Sequence, residues 1–185
     1  WKDQVKRELR AQIHAVAQLL PADTPLRLDG HAHYHMVPVV FDAMMEVLEE
    51  DRVPVEYIRI PREYPWIYLR VWGQLRDIAP VNFAKVGILN LLALRNCRKY
   101  RDRLASMERK LFLGVFLSGR MHLENVRAIL PQARALARKK GWGIELLSHP
   151  GGVYEEADAA ALTNRQDAAF LTSPLRRMEA DMLMA

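Results

Sequence analysis

Strand-like and helix-like runs alternate along this chain, and the alternation restricts the architectures open to it. Residues 26–35, 55–60, 110–117 and 143–148 read as strands, and helical periodicity separates each from the next. A strand, helix, strand order implies an α/β protein with a largely parallel sheet or barrel, whose functional groups gather at the carboxyl ends of the strands. The leading helix is expected over residues 2–20, where Val5, Leu9, Ile13, Val16 and Leu20 recur at steps of three and four and His14 falls on the flank. Pro38 suits the first turn of a second helix with Val40, Met44, Val47 and Leu48 as its buried stripe. A helix starting near Leu123 meets Pro131, which should kink it or start another, and Gly141 should stop it. Ser173-Pro174 reads as a cap and first-turn proline for a terminal helix over 175–183. Residues 64–107 exceed a simple crossover and carry Trp66, Tyr68 and Trp72. A helical lid within one domain over 1–185 is expected there, although such aromatics serve ordinary packing equally well.

The run Asp29-Gly30-His31-Ala32-His33-Tyr34-His35 places an acid and three imidazoles at every second position. In an extended strand all four would line one side of a sheet, and a wet cavity suits them better than an apolar core. At about 3.3 Å per residue, Asp29 and His35 would then lie on the order of 20 Å apart and could not share an ion. Metal to nitrogen bonds of about 2.1 Å would let at most two neighbours of the run meet one metal, and spacing does not choose between them. His149, in Ser148-His149-Pro150-Gly151-Gly152, is expected just past a strand, where a ring titrating near neutral pH suits proton delivery. Arg59 ends an apolar strand and needs an anion: a catalytic acid, or Glu63 or Glu145 in the scaffold. Ser118-Gly119-Arg120 ends another, where glycine permits close approach of a ligand. Nothing beside Cys97 in sequence would activate it as a nucleophile.

With 185 residues and 50% hydrophobic composition the chain can bury the core of one domain. Its net charge of +5 collects in Arg95, Arg98, Lys99, Arg101 and Arg103, and in Arg134, Arg138, Lys139 and Lys140. Acids are interspersed around the first group and the second falls in the last turns of a helix, so solvated helix faces are expected and no nucleic-acid partner. The most apolar stretch, 81–94, is broken by Asn82, Lys85 and Asn90, and no membrane span is expected. A single cysteine cannot form an internal disulfide, which fits the cytoplasm. A homodimer is left open.

Taken in order, Asp29-Gly30-His31-Ala32-His33-Tyr34-His35-Met36, Ile58-Arg59-Ile60-Pro61-Arg62-Glu63, Ser118-Gly119-Arg120-Met121 and Glu145-Leu146-Leu147-Ser148-His149-Pro150-Gly151 resemble the YdjC family of carbohydrate deacetylases, with its ChbG and HpnK branches. The resemblance implies a distorted parallel (β/α) barrel that removes acetyl groups from N-acetylated sugars or oligosaccharides with a divalent metal, Mg or Zn. It implies His31 as a metal ligand, His149 as proton donor, Arg59 as support for the acidic apparatus, and substrate contacts from His33, His35, Ser118 and Arg120. Family members also carry an Asp-Asp pair before the leading helix and a later histidine, which supply the base and the other metal ligands; neither is found in this sequence. A barrel incomplete at its amino end is therefore expected, with about half of the metal site, binding metal weakly and releasing no acetate on its own. A noncatalytic carbohydrate-binding protein and a metal phosphoesterase are the alternatives.

Overall fold

The computed structural model describes residues 1–76, 78–151, 168–169 and 171–185. In chain order the elements are α1 (Lys2–Ala17), β1 (Leu26–Leu28), a 3-10 segment (His31–Met36), α2 (Pro38–Glu50), β2 (Val55–Ile58), α3 (Pro65–Leu69), a 3-10 turn (Trp72–Gln74), α4 (Val81–Lys99), α5 (Arg101–Ala105), β3 (Lys110–Leu113), α6 (Leu123–Lys140), β4 (Gly143–Leu146) and α7 (Pro174–Met184). They fall into two compact units, Trp1–Arg62 with Gly87–Lys110, and Glu63–Val86 with Leu111–Ala185. The fold is mixed α/β, and among the described residues its sheets are two pairs, β1 with β2 and β3 with β4. The strands are shorter than the sequence patterning predicts.

In the first unit β1 and β2 run parallel, with Leu26 opposite Val55 and Leu28 opposite Ile58. Pro38 occupies the first turn of α2, where its missing N–H forfeits no helical bond. From there α2 buries Phe41, Ala43, Met44, Met45, Val47 and Leu48 among Ile13, Leu26, Met36, Ile58 and Ala93. α1 ends at Ala17 and buries only Ile13 fully, while Val16 and Leu20 of its expected stripe are exposed. A ladder of ion pairs supplements that thin contact: Lys2 with Glu46, Lys6 with Glu50 at 2.7 Å, Arg10 with Asp51 at 2.8 Å and His14 with Asp51 at 2.7 Å. Solvated pairs of this kind contribute under about 1 kcal/mol each, so they set the orientation of α1 more than its stability. On the other side, Arg95 donates both Nη atoms to Asp42 at 2.6 Å, and Lys99 and the Tyr100 hydroxyl each approach the same carboxylate at 2.9 Å. The Arg95 guanidinium thereby holds the Asp42 carboxyl well below the usual carboxylate range, against the effect of partial burial. Part of the basic face expected to be solvated is thus neutralised within the chain.

In the second unit α6 lies between β3 and β4 in the chain. Pro131 neither ends it nor starts a new helix; the carbonyl that loses its donor, that of Arg127, belongs to an exposed residue. Gly141, in the left-handed region at φ 65°, closes α6, and the Ser173 hydroxyl caps α7 as expected. β3 stops at Leu113 because Gly114 turns away at φ 142°, where an added Cβ would stand 2.5 Å from the Leu147 carbonyl oxygen. The backbone from Gly114 to Met121 then leaves the ladder, and buried side chains take over its hydrogen bonds. Glu63 accepts from the N–H groups of Gly114, Val115 (2.8 Å) and Phe116 (2.9 Å). Asn82 donates to the carbonyls of Phe116 (3.1 Å) and Ser118 (3.3 Å), and Asn125 to that of Arg120 (2.9 Å). Glu179 accepts from the Met121 N–H at 3.0 Å. Among the aromatics of residues 64–107, Tyr68 is fully buried and stacks on Phe116 with centroids 4.3 Å apart, whereas Trp72 is half exposed.

Burial pushes the Glu63 carboxyl up to about 7 from an ordinary 4.5, against the opposing effect of its three N–H donors. A carboxyl raised in the fold stabilises it fully below its unfolded value, and that contribution is lost as pH rises through the folded value. Urea unfolding from about pH 4.5 to above 7 should therefore show wild type losing up to about 3 kcal/mol relative to Glu63→Gln. A wild-type to variant difference that stays constant with pH would refute this.

Candidate functional site

β1 stops at Leu28, and the histidine run that follows folds back on itself instead of extending as a strand to His35. His31–Met36 is a 3-10 segment in which Ala32 (φ 47°) and His33 (φ 60°) take the left-handed conformation. That conformation costs about 1 to 2 kcal/mol per non-glycine residue, so something must hold it. His35 does. Its Nδ1 accepts the Gly30 N–H at 3.0 Å and its Nε2 lies 2.7 Å from the Arg59 carbonyl oxygen, which only a ring N–H can satisfy. The neutral ring therefore carries its proton on Nε2. Burial keeps the His35 imidazole below its usual pKa, which favours this uncharged form. Glycine is needed at position 30, since a Cβ there would stand 2.9 Å from His35 Nδ1.

The fold-back replaces the expected separation of Asp29 and His35 with a contact of 3.7 Å. Ligand atoms of Asp29, His33 and His35 all lie within 4.8 Å of one another. His31 is exposed and outside this group. Arg59 pairs with Asp29, the acid that opens the histidine run. As folded, the trio does not fit a metal ion: one His35 nitrogen is protonated, the lone pair of the other is taken by Gly30, and the Asp29 carboxylate is held by a guanidinium. A metal here would first have to break the contacts that shape the turn.

In the second unit Ser118 and Arg120 are half-buried on the irregular backbone beyond β3, and His149 follows β4. An added Cβ at Gly119, which has φ 74°, would meet nothing within 4 Å among the described residues, so the Gly119 Cα has open space on that side. The His149 ring is 30% exposed, and its Nδ1 lies 3.7 Å from Glu179 Oε2. Glu179 also accepts the His149 backbone N–H, tying the segments beyond β3 and β4 to α7. Of the expected Pro-Gly-Gly turn, Gly151 has φ 81° and accepts from Arg176, while Gly152 lies outside the described residues. Sequence reasoning did not find Glu179, Asn82 or Asn125. The readable signal for Glu179 was its place four residues after Leu175 and three before Met182, an acid on the apolar face of a helix. Cys97 fits its expected inertness: burial pushes its thiol up.

These features define an α/β protein that collects acids and histidines just beyond its strand ends. The family model described as YdjC-like protein matches residues 2–184, and the chain belongs to that family. The family is related to carbohydrate deacetylases and is metal-dependent in general. No curated protein and no solved structure matches the chain. Among the described residues no helix is long and apolar enough to cross a membrane.

Replacing His35 removes both tethers of the fold-back. His35→Ala is expected to cost about 2 kcal/mol or more in unfolding free energy and to speed hydrogen exchange at the Gly30 amide. Unchanged exchange at Gly30 would show that the turn is held by something else.

Proposed function

We propose that this protein is a carbohydrate deacetylase that hydrolyses the acetamide of N-acetylated sugars or oligosaccharides. The family match over residues 2–184 carries the reading. His149 is the proton donor to the departing amine: its ring is partly exposed at the end of β4 and has a carboxylate behind it. Ser118 and Arg120 contact the sugar from the open backbone around Gly119. In the first unit Arg59 pairs with the Asp29 carboxylate and orients it, and His33, only partly buried, contacts substrate. His35, buried with both nitrogens engaged, is assigned to the scaffold instead. His31, exposed and outside the acid–histidine trio, is the assigned ligand for the divalent ion, Mg²⁺ or Zn²⁺. The lone cysteine fits a cytoplasmic setting.

Incubating the protein translated from the complete open reading frame with N-acetylglucosamine oligomers and Mg²⁺ or Zn²⁺ should release acetate, and chelation should abolish the release. Phosphate release from phosphorylated sugars without acetate would overturn the reading in favour of a phosphoesterase. Sugar binding with neither product would leave a noncatalytic carbohydrate-binding protein.

A further inference from the structure

Glu179 is almost fully buried on the inner face of α7, yet its carboxyl lies below the ordinary carboxylate range. Burial alone would raise it; the nearby His149 ring and the hydrogen bonds from the N–H groups of His149 and Met121 outweigh that effect. An anion so desolvated is strongly unfavourable unless hydrogen bonds and opposite charge meet it. The two backbone N–H groups supply the first, and the His149 ring, with Nδ1 3.7 Å from Oε2, is placed to supply the second. That separation is long for a hydrogen bond, as such contacts often are before substrate binds.

We propose that Glu179 is the positioning residue for His149, accepting the Nδ1 proton of the imidazolium so that Nε2 carries the transferable proton. The proposal rests on the reading of His149 as proton donor. In the step it serves, the C–N bond of the tetrahedral adduct breaks, its electron pair goes to nitrogen, and the His149 Nε2 proton is delivered to that nitrogen. The amine leaves neutral, the water-derived oxygen stays on the acetate, and His149 is left neutral with its proton on Nδ1. Glu179 remains a carboxylate throughout, holding the ring without itself taking the proton.

The ring tautomer reports on this contact independently of activity. In ¹⁵N NMR at a pH where the ring is neutral, wild-type His149 is expected in the Nδ1–H form, and Glu179→Gln should shift it towards Nε2–H. Glu179→Asp, which keeps the charge, should restore part of the Nδ1–H population. An Nε2–H ring in the wild type overturns the proposal whether or not any variant folds. In the full-length protein, Glu179→Gln should lower kcat for acetate release about 10-fold or more with little change in KM. If His149→Ala abolishes acetate release while Glu179→Gln leaves tautomer and kcat unchanged, the positioning role fails and the proton-donor reading stands. Full acetate release by His149→Ala defeats both.

Discussion

A backbone that leaves its sheet for the interior must find new partners for each N–H and C=O, or lose a few kcal/mol for each group left unpaired. Beyond β3 the second unit meets this demand with side chains: Glu63 before α3, Asn82 on α4, Asn125 on α6 and Glu179 on α7 all bond to the backbone between Gly114 and Met121. The segment bearing Ser118 and Arg120 is therefore held by polar residues from four separate parts of the chain. Its two carboxylates respond in opposite directions. Glu63, met by backbone dipoles, is pushed up by burial, whereas Glu179, met also by a ring that can carry charge, is held down. Both the depth of desolvation and the partner set the sign.

The same accounting shapes the first unit. Alternating polar residues after β1 fit an extended strand, and a strand would have paired the backbone at no conformational cost. The chain instead spends two left-handed residues to bring His35 between the Gly30 amide and the Arg59 carbonyl. Those contacts join the end of β1 to the end of β2, next to the Asp29–Arg59 ion pair. Sharing one ion was excluded on the assumption of extended backbone; the fold-back removes that distance. The hydrogen bonds that created the proximity then consume the lone pair a metal would need.

Helix ends were legible in the sequence because their causes are local: Pro38 at a first turn, Gly141 in the left-handed region, Ser173-Pro174 as cap and start. Strand ends were not. Whether a run extends past Leu28 or Leu113 depends on a histidine seven residues on and on a carbonyl just beyond β4, that of Leu147, neither of which periodicity encodes. The order of motifs sufficed to name the family, since it depends on residue identity and not on conformation. Site geometry was lost for the opposite reason: it depends on conformation, and the turn at Gly30 brings Asp29, His33 and His35 together where an extended strand would have separated them.

The basic composition takes on a different meaning once its partners are visible. Arg95 and Lys99 converge on Asp42, Arg27 bridges Glu56 and Glu108 at 2.8 Å each, and Lys140 lies over the Trp142 ring at 4.6 Å. An anionic ligand seeking the α4 face would have to draw Arg95 out of a two-point pair whose carboxylate is held ionised far below neutral pH. The chemistry of a neutral acetamide asks nothing of these cations. The proposed reaction asks instead for one proton delivered to a nitrogen, and in the second unit His149 stands with its Nδ1 3.7 Å from the buried Glu179 carboxylate.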